Sequence, residues 1–470
     1  MKRFLLSWFV ILVILMTILA ACVPQAATQP APSTPVPSTP TSIPPATTLE
    51  PTSNAPELGV QLNEMKDLQV QFLHPWTGEM LDELVSMLDE FNQTNEWGIH
   101  VIMSAPGSAA MVSSKVWEGI ANDQPANILA ASPSFLLTIH EKTGLSINLD
   151  SYINSTSYGL SKDEIADFVP LYWDEDNADG KRFGVPAQRS ALFLIYNSTW
   201  ANELGFATAP RTADELRTQL CAANASFREN ADPVDDGLGG WLINTEAATM
   251  LGWLRSFGVE PYDGENFRFS SAASAAAFEY LVDLKLDSCA WTGKPSKDVE
   301  YFTNRQALAI TSWLQDLGGL ESALKRNNSS DQWTVIPFPG ADQQTVVTAG
   351  VSYGILHKTP AEDLAAWLFI RWLSQPTQQA RLLKANPTLP VSAQVMPHNG
   401  SPAALPQWKA AVELDEYFVS PPAAADWQVV GPVLEDAGWQ LLRAEMTTAQ
   451  IPTLLTELDT LAEDLAERHP

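Results

Sequence analysis

Cysteine, histidine and basic side chains are scarce in this chain of 470 residues. It has three cysteines and six scattered histidines, and it contains no H-E-x-x-H motif, so the usual spacing of a zinc site is missing. We therefore expect no metal site and no cofactor. It has 27 lysines and arginines against 55 aspartates and glutamates. This balance disfavours nucleic-acid partners and anionic membrane surfaces, since both are bound mainly through Lys and Arg.

The first 22 residues have the pattern of an export signal. Lys2 and Arg3 precede an uncharged apolar stretch, and residues 19–22 read L-A-A-C. A basic start, an apolar segment and small residues before a cleavage point are secretory features. The ending resembles the lipobox of bacterial lipoproteins, which implies a signal peptide over residues 1–21 and a lipid on Cys22. An uncleaved transmembrane anchor is the alternative, and either reading places the remainder outside the cytoplasm.

Residues 22–57 are predicted to be a tether. After Cys22, this segment holds ten prolines among Thr, Ser, Ala and Gln, with no Lys, Arg, Trp, Phe or Tyr. Such a composition cannot build a hydrophobic core. Proline-rich chains favour the extended polyproline II conformation, at about 3.1 Å per residue. The segment would therefore hold a folded body, residues 58–470, at a distance from the membrane.

Two cysteines remain once Cys22 is assigned to the lipid. Cys221 and Cys289 would lie in an oxidising compartment, where a disulfide is the natural interpretation. Two separate buried thiols are the alternative, because spacing along the chain does not show that the two Cα atoms come within reach.

The body shows strands alternating with helices. Residues 68–73 and 99–103 are predicted strands on either side of a helix at residues 79–95, and this βαβ unit calls for a parallel sheet. The later segments predicted in the same way are strands at residues 127–131, 183–186, 192–197 and 307–310, and helices at residues 113–123, 212–223, 271–286 and 361–373. The predicted class is α/β with two lobes.

Several of these segments resemble a known family in their order and spacing. They are residues 72–79 (FLHPWTGE), 88–92 (LDEFN), 179–186 (DGKRFGVP), 194–197 (LIYN), 204–206 (LGF) with 210–212 (PRT), and 365–373 (AAWLFIRWL). Together they resemble the extracellular solute-binding lipoproteins of ABC importers, family 1, the sugar-binding branch related to maltose-binding protein. Ala213 departs from the pattern, because the family commonly has an aromatic residue there.

The resemblance implies a two-lobed periplasmic-binding-protein-like fold that closes on its ligand by a hinge. By that likeness, the first lobe comprises residues 60–187 and about 349–398, and the second comprises residues 188–348 and 399–470. The ligand would lie in the cleft between the lobes, where strand ends and loops converge.

Tryptophans and polar side chains near this cleft are the candidate ligand-binding residues. A pyranose ring has an apolar face that stacks on an indole, and its hydroxyls need hydrogen-bonding partners. The resemblance suggests the tryptophans Trp76, Trp241, Trp313 and Trp427 and the polar residues His74, Thr77, Ser132, Arg189 and Ser190. Core packing is the alternative for each tryptophan, and solvation is the alternative for a lone histidine or serine.

Two motifs point to other functions and are set aside. Residues 350–354 (GVSYG) match the G-x-S-x-G nucleophile elbow, but extended chain follows instead of the immediate helix that an elbow requires. Residues 174–180 (DEDNADG) are similar to a calcium loop, but Ala178 and Val185 stand where ligands belong. We expect a turn before a strand there and no catalytic residue in either segment.

The sequence therefore predicts a monomeric, non-enzymatic receptor, tethered by lipid outside the cytoplasm. It would bind a small-molecule solute, a mono- or oligosaccharide, and deliver it to ABC permease subunits. Within the family, glycerol-3-phosphate and polyamines are alternative ligands, and Arg189 would suit a phosphate. A surface-anchored glycan hydrolase or adhesin is the alternative from another functional class.

Overall fold

A computed structural model describes residues 57–229, 232–294, 296–341, 343–395 and 405–468. The predicted signal peptide, Cys22 and all but the last residue of the proline-rich segment lie outside the described residues. The described residues all belong to one unit, Ala55–Pro470. Within the described ranges, no helix has the length and apolar character needed to span a membrane.

Helices and strands alternate along the described chain. The strands are β1 Gln69–Leu73, β2 His100–Ser104, β3 Ile128–Ala131, β4 Asn177–Ala178, β5 Lys181–Arg182, β6 Val185–Asn197, β7 Trp241–Leu242, β8 Ala290–Trp291, β9 Ala309–Trp313, β10 Trp333–Ile336, β11 Phe338–Pro339, β12 Gln344–Ile355 and β13 Phe418–Val419. The α-helices are α1 Gly78–Thr94, α2 Ala109–Ala121, α3 Pro133–Thr143, α4 Asp150–Ile153, α5 Lys162–Asp167, α6 Pro170–Asp174, α7 Ser198–Glu203, α8 Ala213–Arg228, α9 Ala247–Ser256, α10 Ala272–Leu286, α11 Asp298–Thr303, α12 Leu317–Arg326, α13 Pro360–Leu373, α14 Pro376–Ala385, α15 Pro406–Val412, α16 Trp427–Leu441 and α17 Ile451–Arg468. The predicted α/β class is confirmed.

The predicted βαβ unit forms the edge of the main sheet. β1 pairs in parallel with β2 and with β3. Between β1 and β2, α1 buries Met80, Leu84, Met87 and Phe91. These side chains are three or four residues apart, so they share one face of the helix and cover one side of the strands.

Two long antiparallel strands run through the centre of the sheet. The sheet order is β2-β1-β3-β12-β6-β9-β7-β8. β6 and β12 pair from Val185 opposite Tyr353 to Leu192 opposite Val347, with an irregularity between Val351 and Ser352. The two strands predicted at residues 183–186 and 192–197 are thus one strand of 13 residues. These paired strands connect the two ends of the sheet.

Separate hydrophobic clusters lie on the two sides of this crossing. One side is built from residues 60–187 and 353–382 and includes Phe72 and Trp367. The other is built mainly from residues 192–347 and 424–462 and includes Trp253. We propose that these clusters are the cores of the two predicted lobes. In a further cluster, Leu383, Leu389, Val391 and Val395 pack against residues from the range 191–346. The prediction assigned these four residues to the first lobe, but these packing partners belong to the predicted second lobe.

A disulfide links α8 to the chain just before β8. Cys221 and Cys289 are joined, with their Cα atoms 4.3 Å apart. Gly240 lies against this link, since a Cβ there would meet the carbonyl oxygen of Cys289 at 2.0 Å. Its φ of 67° is also in the left-handed region that favours glycine. This close contact lets β7 begin directly beside the disulfide.

Candidate ligand-binding cleft

A cavity of about 800 Å³ opens beside the crossing strands, between the two groups of hydrophobic clusters. Four predicted residues line it: Trp76, Thr77, Ser190 and Trp313. The other lining residues are Pro75, Glu79, Met80, Gln188, Gln315, Gly319, Ala349, Gly350, Ala385, Asn386, Pro387 and Thr388. We call this space the main cavity. It has the size of a small-ligand site, and both predicted lobes contribute to its walls.

Trp76 forms one wall of the main cavity. It lies just beyond the end of β1, and its ring packs edge-on against Phe72 and Tyr353. Its indole N–H donates a hydrogen bond to Oε1 of Gln188 at 2.5 Å. The side chain is 7% exposed. The indole is therefore held in one orientation by packing and by a residue of β6.

Trp313 and Ser190 form the opposite wall. Trp313 is the last residue of β9, is half-buried, and donates its indole N–H to Oε2 of Glu246 at 3.2 Å. Ser190 lies in the middle of β6, opposite Ala349 of β12. Its hydroxyl donates a hydrogen bond to Oε1 of Gln315. This wall thus offers an indole together with amide and hydroxyl groups.

A second, smaller cavity of about 150 Å³ contains two more predicted residues, Ser132 and Trp427. It shares Ala349 and Gly350 with the main cavity. The amide of Gln428 donates hydrogen bonds to the hydroxyls of Ser132, at 3.0 Å, and Ser134, at 2.5 Å. Polar groups here already satisfy one another, so this space is closed by direct contact between the two predicted lobes.

Arg189 lies beneath both cavities but lines neither. Its side chain is fully buried, and its register partner across the strands is Gly350. Its Nε donates to Glu175 at 2.7 Å and one terminal nitrogen donates to Ser352 at 3.0 Å. The other terminal nitrogen donates to the carbonyl oxygens of Gln188 and Val351. In this structure Arg189 binds the crossing strands together and is not placed to reach a solute.

Gly350 makes this arrangement possible. A Cβ at this position would meet the carbonyl oxygen of Gln188 at 1.9 Å. Only glycine allows the two backbones to approach so closely over the Arg189 side chain.

Asp176 completes the buried network below the cleft. It is 3.8 Å from Arg189 and accepts a hydrogen bond from the Ser352 hydroxyl at 2.8 Å. Burial raises the pKa of Asp176 to about 6, although Arg189 and Ser352 both act to lower it. The desolvation of a completely buried carboxylate outweighs a single ion pair at this distance.

His74 and Trp241 are also placed away from the cavities. His74 is fully buried between Phe72 and Trp76, with ring centroids 5.0 and 5.3 Å away, and its Nε2 is 3.4 Å from the sulfur of Met103. Burial lowers its pKa to about 4. Trp241 is 1% exposed and donates to the hydroxyl of Thr311 at 3.2 Å. Both residues pack in the hydrophobic cores, which is the alternative stated for tryptophan above.

A family model described as bacterial extracellular solute-binding protein matches residues 86–427. This range covers most of the chain. The chain belongs to the bacterial extracellular solute-binding protein family.

Curated relatives of this solute-binding protein are distant. A binding protein of Brucella abortus is 23% identical over 258 residues, which are 53% of this chain and 59% of the relative. A binding protein of Brucella suis matches with the same identity and coverage. The chain thus spans about three-fifths of the length of the curated relatives it matches.

Solved structures match the solute-binding protein over much more of its length. A cyclic alpha-maltosyl-1,6-maltose binding protein from Arthrobacter globiformis has a TM-score of 0.69 and 19% identity, covering 84% of this chain and 98% of its own. An ABC substrate-binding protein from Listeria monocytogenes, in complex with cycloalternan, has a TM-score of 0.68 and 16% identity, covering 85% and 99%. The sugar-binding protein MalE from Xanthomonas citri has a TM-score of 0.68 and 19% identity, covering 85% and 98%. At these identities the likeness confirms the two-lobed fold.

Sequence reasoning missed several residues that line the main cavity of the solute-binding protein. Gln188 and Gln315 provide amides, Glu79 provides a carboxylate, and Asn386 and Thr388 form a loop after α14. Asn386-Pro387 is a turn signal after a helical pattern, which marks a loop but not its position at the cleft. The sequence around Gln188 and Gln315 contains no pattern that distinguishes them from other glutamines.

The two motifs set aside earlier lie in a long strand and in a short hairpin. Ser352 lies inside β12 and is fully buried, and the next helix begins only at Pro360, so the G-x-S-x-G match is not a nucleophile elbow. The acidic segment forms the short β4–β5 hairpin, with positive φ at Asp179 and Gly180. Among the described residues, no group of three or more His, Cys, Asp or Glu side chains is placed to hold a metal ion.

Proposed function

We propose that this chain is a membrane-tethered extracytoplasmic receptor that binds a mono- or oligosaccharide and delivers it to an ABC permease. The observation that carries the proposal is the main cavity, which combines the indoles of Trp76 and Trp313 with the uncharged polar groups of Gln188, Ser190 and Gln315. These are the two kinds of surface that a sugar ring needs. One binds its C–H face, and the other binds its hydroxyls.

The position of Trp313 favours stacking over simple core packing, whereas Trp76 is 7% exposed and also packs within a hydrophobic cluster. Trp313 is half-buried at the end of β9, and both indole N–H groups are already bonded to acceptors, Gln188 for Trp76 and Glu246 for Trp313. With the N–H satisfied, an indole offers mainly its face to a ligand. An orientation fixed before binding lowers the entropy lost when the ligand is bound.

The solved structures of similar fold support the carbohydrate class. The one from Arthrobacter is a cyclic alpha-maltosyl-1,6-maltose binding protein, the one from Listeria is in complex with cycloalternan, and the one from Xanthomonas citri is a sugar-binding protein. Sequence identity to them is below 20%, so the individual sugar does not carry over to this chain.

The alternative ligands and functions have less support. Glycerol-3-phosphate needs cationic partners for its phosphate, and no lysine, arginine or histidine lines either cavity in the described ranges. A polyamine lacks the hydroxyls that the polar groups of Gln188, Ser190 and Gln315 would bind. A hydrolase based on Ser352 is disfavoured because that hydroxyl is buried between Arg189 and Asp176.

The rest of the proposal concerns location and partners. Lipid on Cys22 would anchor the chain to the bacterial cell membrane, and the proline-rich segment would hold the body away from it. We expect a monomer that presents closed, loaded lobes to the permease subunits. Hinge motion at the β6 and β12 crossing would open and close the cleft.

The test is a thermal-shift screen of the purified full-length chain. The panel holds maltose, maltotriose, cellotriose, glycerol-3-phosphate and spermidine. A ligand at 100 times its dissociation constant stabilises a protein by about 2.7 kcal/mol, which gives a readable rise in Tm. We expect a rise with at least one sugar and none with glycerol-3-phosphate. A rise with spermidine alone would contradict the proposal.

Trp313→Ala provides the matched variant. We expect it to lose the sugar-dependent rise, because deleting a stacking aromatic at a binding site costs about 2 kcal/mol or more. Trp439→Ala is the control, since Trp439 on α16 is 51% exposed and lines neither cavity. If both variants keep the full shift, the main cavity is not the sugar site.

A further inference from the structure

We infer that the solute of the main cavity is a saccharide bearing a protonated amine, in preference to a neutral or an acidic saccharide. This inference rests on the proposed function and names the ligand class within it. The stacking and hydrogen-bonding groups define the site. The charges around them determine which saccharide it selects.

The charged side chains at the cavity walls are all carboxylates. Glu79 lines the main cavity and Glu175 lines the smaller one, while no lysine, arginine or histidine lines either in the part of the chain that the structure describes. Glu79 is exposed in the first turn of α1, and no described residue bonds to its carboxylate. It is therefore free to accept a hydrogen bond from a ligand.

More negative charge lies behind Trp313. Its indole N–H donates to Glu246. Partial burial raises the pKa of Asp316, and the nearby charges of Asp298 and Glu246 raise it further. Burial and Glu246 likewise raise the pKa of Glu435. Of these carboxylates, Glu246 contacts the lining residue Trp313, so a cation bound beside that indole would relieve part of their mutual repulsion.

The nearest cation does not offset this field. Arg189 is fully buried, and its guanidinium donates to Glu175, Ser352 and two backbone carbonyl oxygens. Glu175 and Asp176 lie 2.7 and 3.8 Å from it, so two carboxylates face one guanidinium. The floor of the cleft therefore adds no net positive charge toward the cavity.

An ammonium group on a sugar would use this environment in two ways. It would donate charge-assisted hydrogen bonds to carboxylates such as Glu79, and these are roughly twice as strong as neutral ones. It is also attracted to an indole face within about 6 Å. The amides of Gln188 and Gln315 and the hydroxyl of Ser190 would still bind the ring hydroxyls, which a simple polyamine lacks. We expect an amine to raise affinity about tenfold over the hydroxyl it replaces.

The experiment compares matched saccharides by titration calorimetry on the full-length chain at pH 6. The first series is the glucosamine β-1,4 trimer, cellotriose and trigalacturonate; the second is glucosamine, glucose and glucuronate. Spermidine is included as a cation without a sugar ring. Each titration is run at 20 and 300 mM NaCl, since salt screens an exposed charge interaction.

Glu79→Gln and Glu246→Gln test the origin of any preference. Both carboxylates are exposed, so the variants should fold, and unchanged unliganded Tm values would verify this. Glu279→Gln is the control, because it removes the same charge from an exposed position on α10 that lines neither cavity. We expect the preference for the amine to fall several-fold in the first two variants only.

The outcomes separate this inference from the proposed function. A roughly tenfold, salt-sensitive preference for the amine in either series, reduced by Glu79→Gln or Glu246→Gln, supports it. Equal or tighter binding of the neutral sugar overturns the inference and leaves the sugar receptor intact. Binding of spermidine without any saccharide, or no binding by any probe, overturns both.

Discussion

The main cavity and the smaller cavity share Ala349 and Gly350, yet the polar groups that line them have different hydrogen-bonding partners. In the smaller one, Gln428 donates to Ser132 and Ser134. In the main cavity, the polar groups of Gln188 and Gln315 accept bonds from neighbouring side chains and still border about 800 Å³ of space.

The difference separates two uses of the same cleft. Polar groups that satisfy one another across the predicted lobes hold those lobes together, and they leave little for a solute to gain. Polar groups held in place around an open space are preorganised for a ligand. Of the six predicted residues that reach the cavities, Trp76, Thr77, Ser190 and Trp313 belong to the second kind. Ser132 belongs to the first, and Trp427 lines the smaller cavity while its ring stacks on Phe267.

The largest effect should come from removing Arg189, which lies under both cavities. We expect Arg189→Met to lower the free energy of unfolding by about 3–5 kcal/mol, because Glu175 and Asp176 would remain buried without their counter-ion. Urea unfolding at pH 7 measures the loss. The matched control is Arg217→Met, which also contacts two carboxylates, Asp283 and Asp287, but whose side chain is 36% exposed.

We expect the control to cost about 1 kcal/mol or less, since exposed ion pairs contribute little. Similar losses in the two variants would mean that burial of the Arg189 network does not distinguish it from a surface pair.

An effect of intermediate size should appear in the pH dependence of stability, and it should come from His74, which is buried beside Trp76. Burial lowers the pKa of His74 to about 4, so the unfolded chain binds more protons between that value and about 6.5. Stability from neutral His74 is therefore fully present above about pH 6.5 and is lost as the pH falls toward 4. Between pH 7 and 5, we expect the wild type to lose about 2 kcal/mol more than His74→Leu.

Urea midpoints at the two pH values test this expectation. His100→Gln is the control, because His100 is exposed on β2 and should lose stability on acidification in parallel with the wild type. If His74→Leu loses as much stability between pH 7 and 5 as the wild type, then His74 is not held neutral beside Trp76.

The smallest effect should come from opening the smaller cavity. Gln428→Ala removes the two hydrogen bonds to Ser132 and Ser134, and we expect a loss of about 0.5–1.5 kcal/mol in unfolding free energy. Sugar affinity at the main cavity should change less than threefold. Gln440→Ala, an exposed position on the same helix, is the matched control. A tenfold change in sugar affinity would mean that the two cavities form one site.

Periodic patterns made much of the fold predictable. The helix predicted at residues 79–95 is α1, Gly78–Thr94, because its apolar residues repeat at helical spacing. The helix predicted at residues 271–286 is α10, Ala272–Leu286, which is rich in the strong helix formers alanine and leucine. β6 was harder to predict. Arg189 and Ser190 interrupt its apolar residues, so the sequence indicated two strands with a polar break. In the folded chain, Arg189 donates to Ser352 of β12 and Ser190 donates to Gln315, just after β9, and only folding brings these partners together.

The candidate site was less predictable for the same reason. A tryptophan's position in the sequence does not show whether its neighbours will cover it. Trp241 is covered by Trp253 and bonded to Thr311, whereas Trp313 remains half-buried beside Gln315. Arg189 likewise has the charge that a phosphate site needs, but Glu175 and Asp176, which lie between α6 and β4, already neutralise it.

The link between Cys221 and Cys289 has a practical consequence for anyone who produces this protein. A disulfide closing a loop of this length contributes about 2–4 kcal/mol, and it forms only where the surroundings are oxidising. Recombinant chain collected from a reducing cytosol would carry two thiols instead. Gly240, the residue before β7, would then lie beside an unlinked Cys289. The thiol content of each preparation should therefore be known before its melting temperature is compared with that of another.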